Sequence, residues 1–110
     1  MSRVLKLPEN SLDARGGQAP FRFKRGIRLP YSRQGYIFFT SRMYHSLPPE
    51  RQQVIWNLCL RCGGGCYQAL FEFVTTDVSA TAVCLKHYLA SRTSLYRALK
   101  RYYEEFPPYL

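Results

Sequence analysis

An all-α fold, a small helical bundle with a C-terminal helix-turn-helix and a mobile basic N-terminal arm, is predicted by three features of the chain. Two serines that can cap helices, Ser79 and Ser91, stand twelve residues apart, which leaves room for one short helix and a tight turn. After the second, Leu95, Ala98, Leu99 and Tyr102 recur at i, i+3, i+4 and i+7, the spacing of one buried helical face. Upstream, a helix start at Ser46-Leu47-Pro48-Pro49-Glu50 and a break at Gly63-Gly64-Gly65 bound a further helix. The expected division is an arm over residues 1–27 and one helical domain over 28–110, with its helix-turn-helix at 79–103.

Met1 to Lys24 is polar, carries Gly16, Gly17 and Pro20 and has no sustained period, as expected of an arm. Up to residue 44 there are nine Lys or Arg and two acids, net +7; the remainder has seven and five, net +2, so the excess sits at the N-terminal end. Phe21, Arg22, Phe23, Lys24, Arg25, Arg28 and Arg33 interleave rings with cations. Such a segment can lie along DNA phosphates or in a minor groove, which makes Arg22, Lys24, Arg25 and Arg28 the expected arm contacts. A tail that only aids solubility has the same composition.

Gly35 to Met43 is apolar enough to be buried as strand or short helix, and a helix is the preferred reading. Tyr36, Ile37, Phe38 and Phe39 then belong to the core or to an oligomer surface. In the next helix Ser46 is the expected cap, proline suits the first turn and Glu50 suits the positive helix terminus. It runs from Arg51 to about Leu60, with Val54, Ile55, Leu58 and Cys59 inward and Trp56 beside that stripe. The three glycines end it, since each costs about 1 kcal/mol in a helix interior, and they form a hinge. They are not a phosphate loop, because no GK[ST] follows. Cys66 to Val74 reads as a helix with Ala69, Leu70 and Phe73 inward, and Thr75 to Asp77 as the bend beyond it.

From Ser79 the chain forms a short helix, breaks at Tyr88 to Ala90 and restarts at Ser91. Counting back from Leu95 with a standard turn puts Leu85 where a small residue is needed and Leu89 where glycine is usual; a turn one residue longer places the small Cys84 in the slot where the helices cross. The longer turn is preferred. The outer face of the second helix carries Arg92, Thr93, Tyr96, Arg97 and Lys100, and from Leu85 to Arg101 there is no Asp or Glu. A merely solvated face usually mixes signs. Arg92, Thr93 and Tyr96 are assigned to base edges, and Ser91, Arg97, Lys100 and Arg101 mainly to phosphates. Glu104 and Glu105 close the positive run, Phe106-Pro107-Pro108 stops the helix, and Tyr109 and Leu110 are a short tail.

The totals set bounds. At 110 residues one domain is expected, and a formal charge of +9 favours a polyanionic partner, most simply double-stranded DNA. Lys6, Glu9 and Asp13 stand where a secretory signal would be apolar, and no run approaches the ~20 apolar residues of a membrane span, so a cytoplasmic protein without a membrane partner is expected. Cys59-x2-Cys62 and Cys84-x2-His87 have metal-type spacing, and zinc would need all four. Against zinc, both pairs lie on expected helices and Cys66 is left over; buried thiols are preferred and no cofactor is expected. A nucleophilic site from Cys62 or Cys66 with His45 or His87 has neither an oxyanion hole nor an orienting acid marked for it, and no catalysis and no small-molecule substrate are expected.

The stretch from Arg28 to Tyr103 resembles the PapB-type adhesin biosynthesis regulators of fimbrial operons. The resemblance is carried by Val83-Cys84 followed by Lys86 and an aromatic residue, a polar turn, a second helix containing Leu99 and Arg101, and the aromatic segment Tyr36 to Phe39. The segment LPPERQQVI also looks like the opening of a sigma-factor region 4 domain. The resemblance implies a bacterial, nucleoid-associated homo-oligomer that binds AT-rich DNA near a promoter and regulates transcription, with Ser91 to Arg101 as the reading helix. The rival expectation is a non-catalytic adaptor or inhibitor that uses an aromatic surface.

Overall fold

The computed structural model describes residues 21–110, and there the chain is all-helical: α1 Tyr31–Arg42, α2 Pro49–Gly63, α3 Tyr67–Thr75, α4 Ala80–Lys86 and α5 Arg92–Glu105. Short 3-10 turns at Tyr44–Ser46 and Gly64–Cys66 link α1 to α2 and α2 to α3. α5 packs against α2, α3 and α4, and α1 lies against α3.

Helix starts follow local chemistry, with two departures from expectation. α1 begins at Tyr31, four residues before the expected Gly35, because Pro30 supplies an extended residue whose carbonyl accepts from Gln34 N at 3.0 Å. Ser46 does not cap α2: it lies in the 3-10 turn, and Pro48 is the N-cap with Pro49 at the first helical position. Proline tolerates that place because the first amides of a helix have no intrahelical partner. α2 also runs past Leu60 to Gly63, and Gly64 breaks it with φ +53°. A Cβ on Gly63 would sit 3.1 Å from Tyr67 Cβ, so this glycine permits a close approach of α2 to α3 and is packed rather than hinge-like.

Both expected serine caps are present. Ser79 Oγ accepts from Ala82 N at 3.1 Å and Ser91 Oγ accepts from Thr93 N at 3.3 Å. α4 ends with Tyr88 N donating to the Leu85 carbonyl and Leu89 N to the Cys84 carbonyl, the paired bonds of a Schellman end. Tyr88 carries the left-handed backbone, φ 58°, that glycine usually supplies. The turn of residues 87–91 thus has the longer register: Cys84 is buried and Leu85 is 74% exposed.

Two apolar clusters result. The larger unites Ile27, Ile37, Ile55, Leu58, Cys59, Leu70, Leu99 and Tyr102, and the smaller unites Ala69, Val83, Cys84 and Leu95 beneath α4. Tyr102 brings its hydroxyl 2.6 Å from Ser41 Oγ, which itself donates to the Ile37 carbonyl at 2.7 Å. Burial pushes the Tyr102 phenol well above its ordinary range.

Both chain ends of the described region depart from expectation. Residues 1–20 of the expected arm lie outside the described residues. Residues 21–27 are not free: Ile27 is in the core and Lys24 N donates to Gln34 Oε1 at 2.8 Å. At the other end the expected tail folds back, since Phe106 and Leu110 are buried. Arg33 Nη2 donates to the Phe106 and Pro107 carbonyls at 3.0 Å each, and the Tyr36 hydroxyl donates to the Leu110 main-chain oxygen. Arg33 is thereby a structural cation stacked on Tyr36 and Phe106, not a member of the basic surface.

Candidate nucleic-acid interface

α5 is amphipathic by construction. Leu95, Ala98, Leu99 and Tyr102 are buried as their spacing requires, which fixes the helix rotation and turns Arg92, Thr93, Tyr96, Arg97, Lys100 and Arg101 to solvent. The first turn holds no acid, so the unpaired amides and positive end of the helix dipole add to the Arg92 charge. Ser91 is exposed, but its Oγ is engaged as the cap of Thr93 N, so its first duty is to start the helix.

The exposed cations of α5 are not equivalent. Lys100 Nζ lies 3.0 Å from Glu104 Oε2; Arg101 Nε lies 3.6 Å from Glu105 Oε2; and Arg61 of α2 holds the other Glu105 oxygen at 3.0 Å. The Arg61 hydrogen bond holds the Glu105 carboxyl below the usual carboxylate range. Among the described residues Arg92 and Arg97 form no ion pair, so the uncompensated charge lies on the first two turns.

Thr93, Tyr96, Arg97 and Lys100 also form one wall of an open cleft of about 480 Å³, whose other wall is Lys24, Gly26 and Ile27. Arg92, Thr93 and Tyr96 border a second hollow shared with Thr81 and Leu85 of α4. Arg101 borders a third hollow, shared with Arg97 and with Cys62, Gly65 and Cys66. Thr93, Tyr96, Arg97 and Lys100 are therefore brought together on one cleft, and Arg97 also borders the hollow that Arg101 lines.

Of the expected arm contacts, Arg22, Arg25 and Arg28 are exposed, whereas Lys24 is drawn inward. Its ammonium lies over the Phe21 and Tyr103 rings at 5.8 and 5.7 Å, and burial, with the neighbouring Arg42 charge, lowers its pKa.

The four residues of the zinc alternative are dispersed. Cys59 and Cys62 belong to the larger cluster, where burial pushes their thiols up to about 12 and about 11. Cys84 belongs to the smaller cluster and lies 3.9 Å from the Ser91 carbonyl, and His87 Nε2 is 2.9 Å from Glu72 Oε1. Among the described residues no three potential ligands converge. Thiols held protonated in apolar surroundings are weak nucleophiles as well as weak ligands.

Two residues that sequence reasoning missed organise this surface. Glu72 of α3 takes both Lys86 and His87, and Gln34 of α1 holds the loop that faces α5. Neither has a local signal: one lone Glu and one lone Gln in an apolar helix look like solvated positions. No helix among the described residues is long and apolar enough to cross a membrane. No protein-family model, curated protein or solved structure gives a significant match to the chain.

Proposed function

We propose that the protein is a sequence-preferring, non-catalytic DNA-binding regulator in which α4, the turn at 87–91 and α5 act as a helix-turn-helix. The observation that supports this most directly is the exposed ridge Arg92, Thr93, Tyr96 and Arg97 at the capped, acid-free start of α5. A guanidinium and a hydroxyl there have the donors that base edges accept, and a 14-residue helix exposed along one side is long enough to enter a major groove. Arg92, Thr93 and Tyr96 take base edges; Ser91, Arg97, Lys100 and Arg101 take phosphates. The resemblance to PapB-type regulators extends the proposal to AT-rich promoter DNA, an oligomeric assembly and fimbrial or other adhesin genes in the bacterial cytoplasm.

The test is a gel shift on mixed genomic fragments over a salt series. Preference for particular fragments should persist at moderate salt. Arg92→Ala should cost about 1 to 3 kcal/mol on the preferred site and relax preference there, whereas Arg101→Ala should weaken all sequences alike. Identical behaviour of the two variants across sequences defeats the division of roles.

One observation favours the adaptor reading instead: Phe23, Tyr31, Tyr36, Phe39 and Met43 expose large apolar side chains around α1. An apolar patch of this kind suits a protein partner. If the chain shows no fragment preference at any salt while alanine at Tyr31 and Phe39 abolishes a protein contact, the adaptor is correct.

A further inference from the structure

We infer that the loop of residues 24–29 is a second, preformed phosphate-contacting element beside α5, positioned by the buried amide of Gln34; the inference rests on the DNA-binding reading above. Gln34 is fully buried in α1. Its Oε1 accepts from Lys24 N at 2.8 Å, and the two N–H groups of its Nε2 are shared among the carbonyls of Lys24, Ile27 and Leu29, at 3.0, 3.3 and 3.1 Å. The loop closes on itself as well, through Ile27 N to the Lys24 carbonyl at 3.2 Å and Leu29 N to the Ile27 carbonyl at 2.9 Å, and the Ile27 side chain anchors it in the core.

One side-chain amide that serves three loop carbonyls and one loop amide is an organising group, because these partners are buried or half-buried and leaving them unmade is costly. What the clamp presents outward is Arg25 and Arg28, both exposed, with Arg22 just before them. No acid occurs between residues 14 and 49, so the loop holds no counter-charge of its own. The cleft between this loop and α5 has Lys24, Gly26 and Ile27 on one side and Thr93, Tyr96, Arg97 and Lys100 on the other. A duplex whose major groove receives α5 necessarily carries a sugar-phosphate strand along the flank of that helix. Lys24, Gly26 and Ile27 of the loop stand on that flank, and Arg25 and Arg28 are the exposed cations between and beside them. Because it is already ordered by Gln34, its conformational entropy is not lost a second time on binding.

The division of labour is thus specific. Lys24 supplies backbone and packing, Gln34 is a positioning residue that never touches DNA, and Arg25 and Arg28 make the contacts. Each guanidinium that neutralises a phosphate adds about 0.9 to the slope of log K against log salt.

The experiment measures binding of the full chain to a fluorescently labelled mixed-sequence duplex over a salt series, for wild type, Arg92→Ala, Arg25→Ala with Arg28→Ala, and Gln34→Met. The double arginine variant should lower the salt slope by about 2 and weaken every sequence equally, with fragment preference retained. Gln34→Met keeps both arginines, so a reduced slope in that variant, with helical content unchanged, marks the loss of positioning. Should Gln34→Met fail to fold, the double arginine variant, which alters only exposed side chains, still decides. A wild-type slope in that double variant while Arg92→Ala weakens binding overturns the loop's role and leaves the helix reading intact; absence of binding by wild type at low salt overturns both.

Discussion

His87 Nε2 lies 2.9 Å from Glu72 Oε1, and this pair ties the C-cap of α4 to the middle of α3. Lys86 Nζ lies 3.1 and 3.2 Å from the two oxygens of the same carboxylate, so one acid holds two adjacent residues at the end of a seven-residue helix. α4 is too short to be stable on its own, and this anchor with Val83 and Cys84 beneath it fixes where it stops.

The His87 hydrogen bond, with Lys86 in support, holds the Glu72 carboxyl below its ordinary 4.5. A carboxyl whose folded pKa is depressed contributes stability that is fully present above the unfolded value and is lost as pH falls through the folded value. Glu72→Gln should therefore cost about 1 to 2 kcal/mol at neutral pH and show a shallower loss of stability than wild type below pH 4.5. Denaturant titrations from neutral pH downward check this; parallel curves for the two proteins sink it.

Tyr88 stands in the left-handed conformation with its side chain 94% exposed. The backbone is strained and the ring packs on nothing that offsets it. Tyr88→Gly should raise stability by about 0.5 to 1 kcal/mol, the strain relieved minus the greater freedom of glycine in the unfolded chain. Thermal denaturation should move up by a few degrees. A fall in midpoint would mean that the Tyr88 ring is held by a contact in solution.

Cys84 is buried at the crossing of α4 and α5 whereas Leu85 points to solvent. Cys84→Leu should overpack that crossing and cost about 1 to 3 kcal/mol, while Leu85→Ala should stay within about 0.5 kcal/mol. The opposite order in chemical denaturation would restore the shorter turn.

Glu104 pairs with Lys100, and Glu105 with Arg101 and with Arg61 of α2, all on the surface, where such pairs contribute little to stability. Changing both to Gln should leave the melting midpoint nearly unchanged yet tighten binding to a mixed-sequence duplex severalfold at low salt. The gain should shrink as salt rises, since screening shortens to about 10 Å at 0.1 M. Unaltered affinity at low salt would place the C-terminal half of α5 away from the duplex.

The sequence by itself determined the features whose cause lies within a few residues. A serine hydroxyl reaches an amide two or three positions on, so Ser79 and Ser91 could be assigned; a 3.6-residue period names Leu95, Ala98, Leu99 and Tyr102 as the buried face and so leaves Arg92 and Arg97 outside. The tertiary structure alone decided the rest. Residues 21–27 read as arm because nothing local restrains them, yet Gln34 is ten residues from Lys24 and clamps it. Arg33 reads as one more cation of a basic run until Phe106, 73 positions away, offers its carbonyl. Glu72 binds His87 across 15 residues, a pairing that no local pattern in the chain announces. Propensity and period act over one or two turns of chain, whereas a side chain's partner is set by which surfaces the burial of apolar faces brings into contact, and that is a property of the packed molecule.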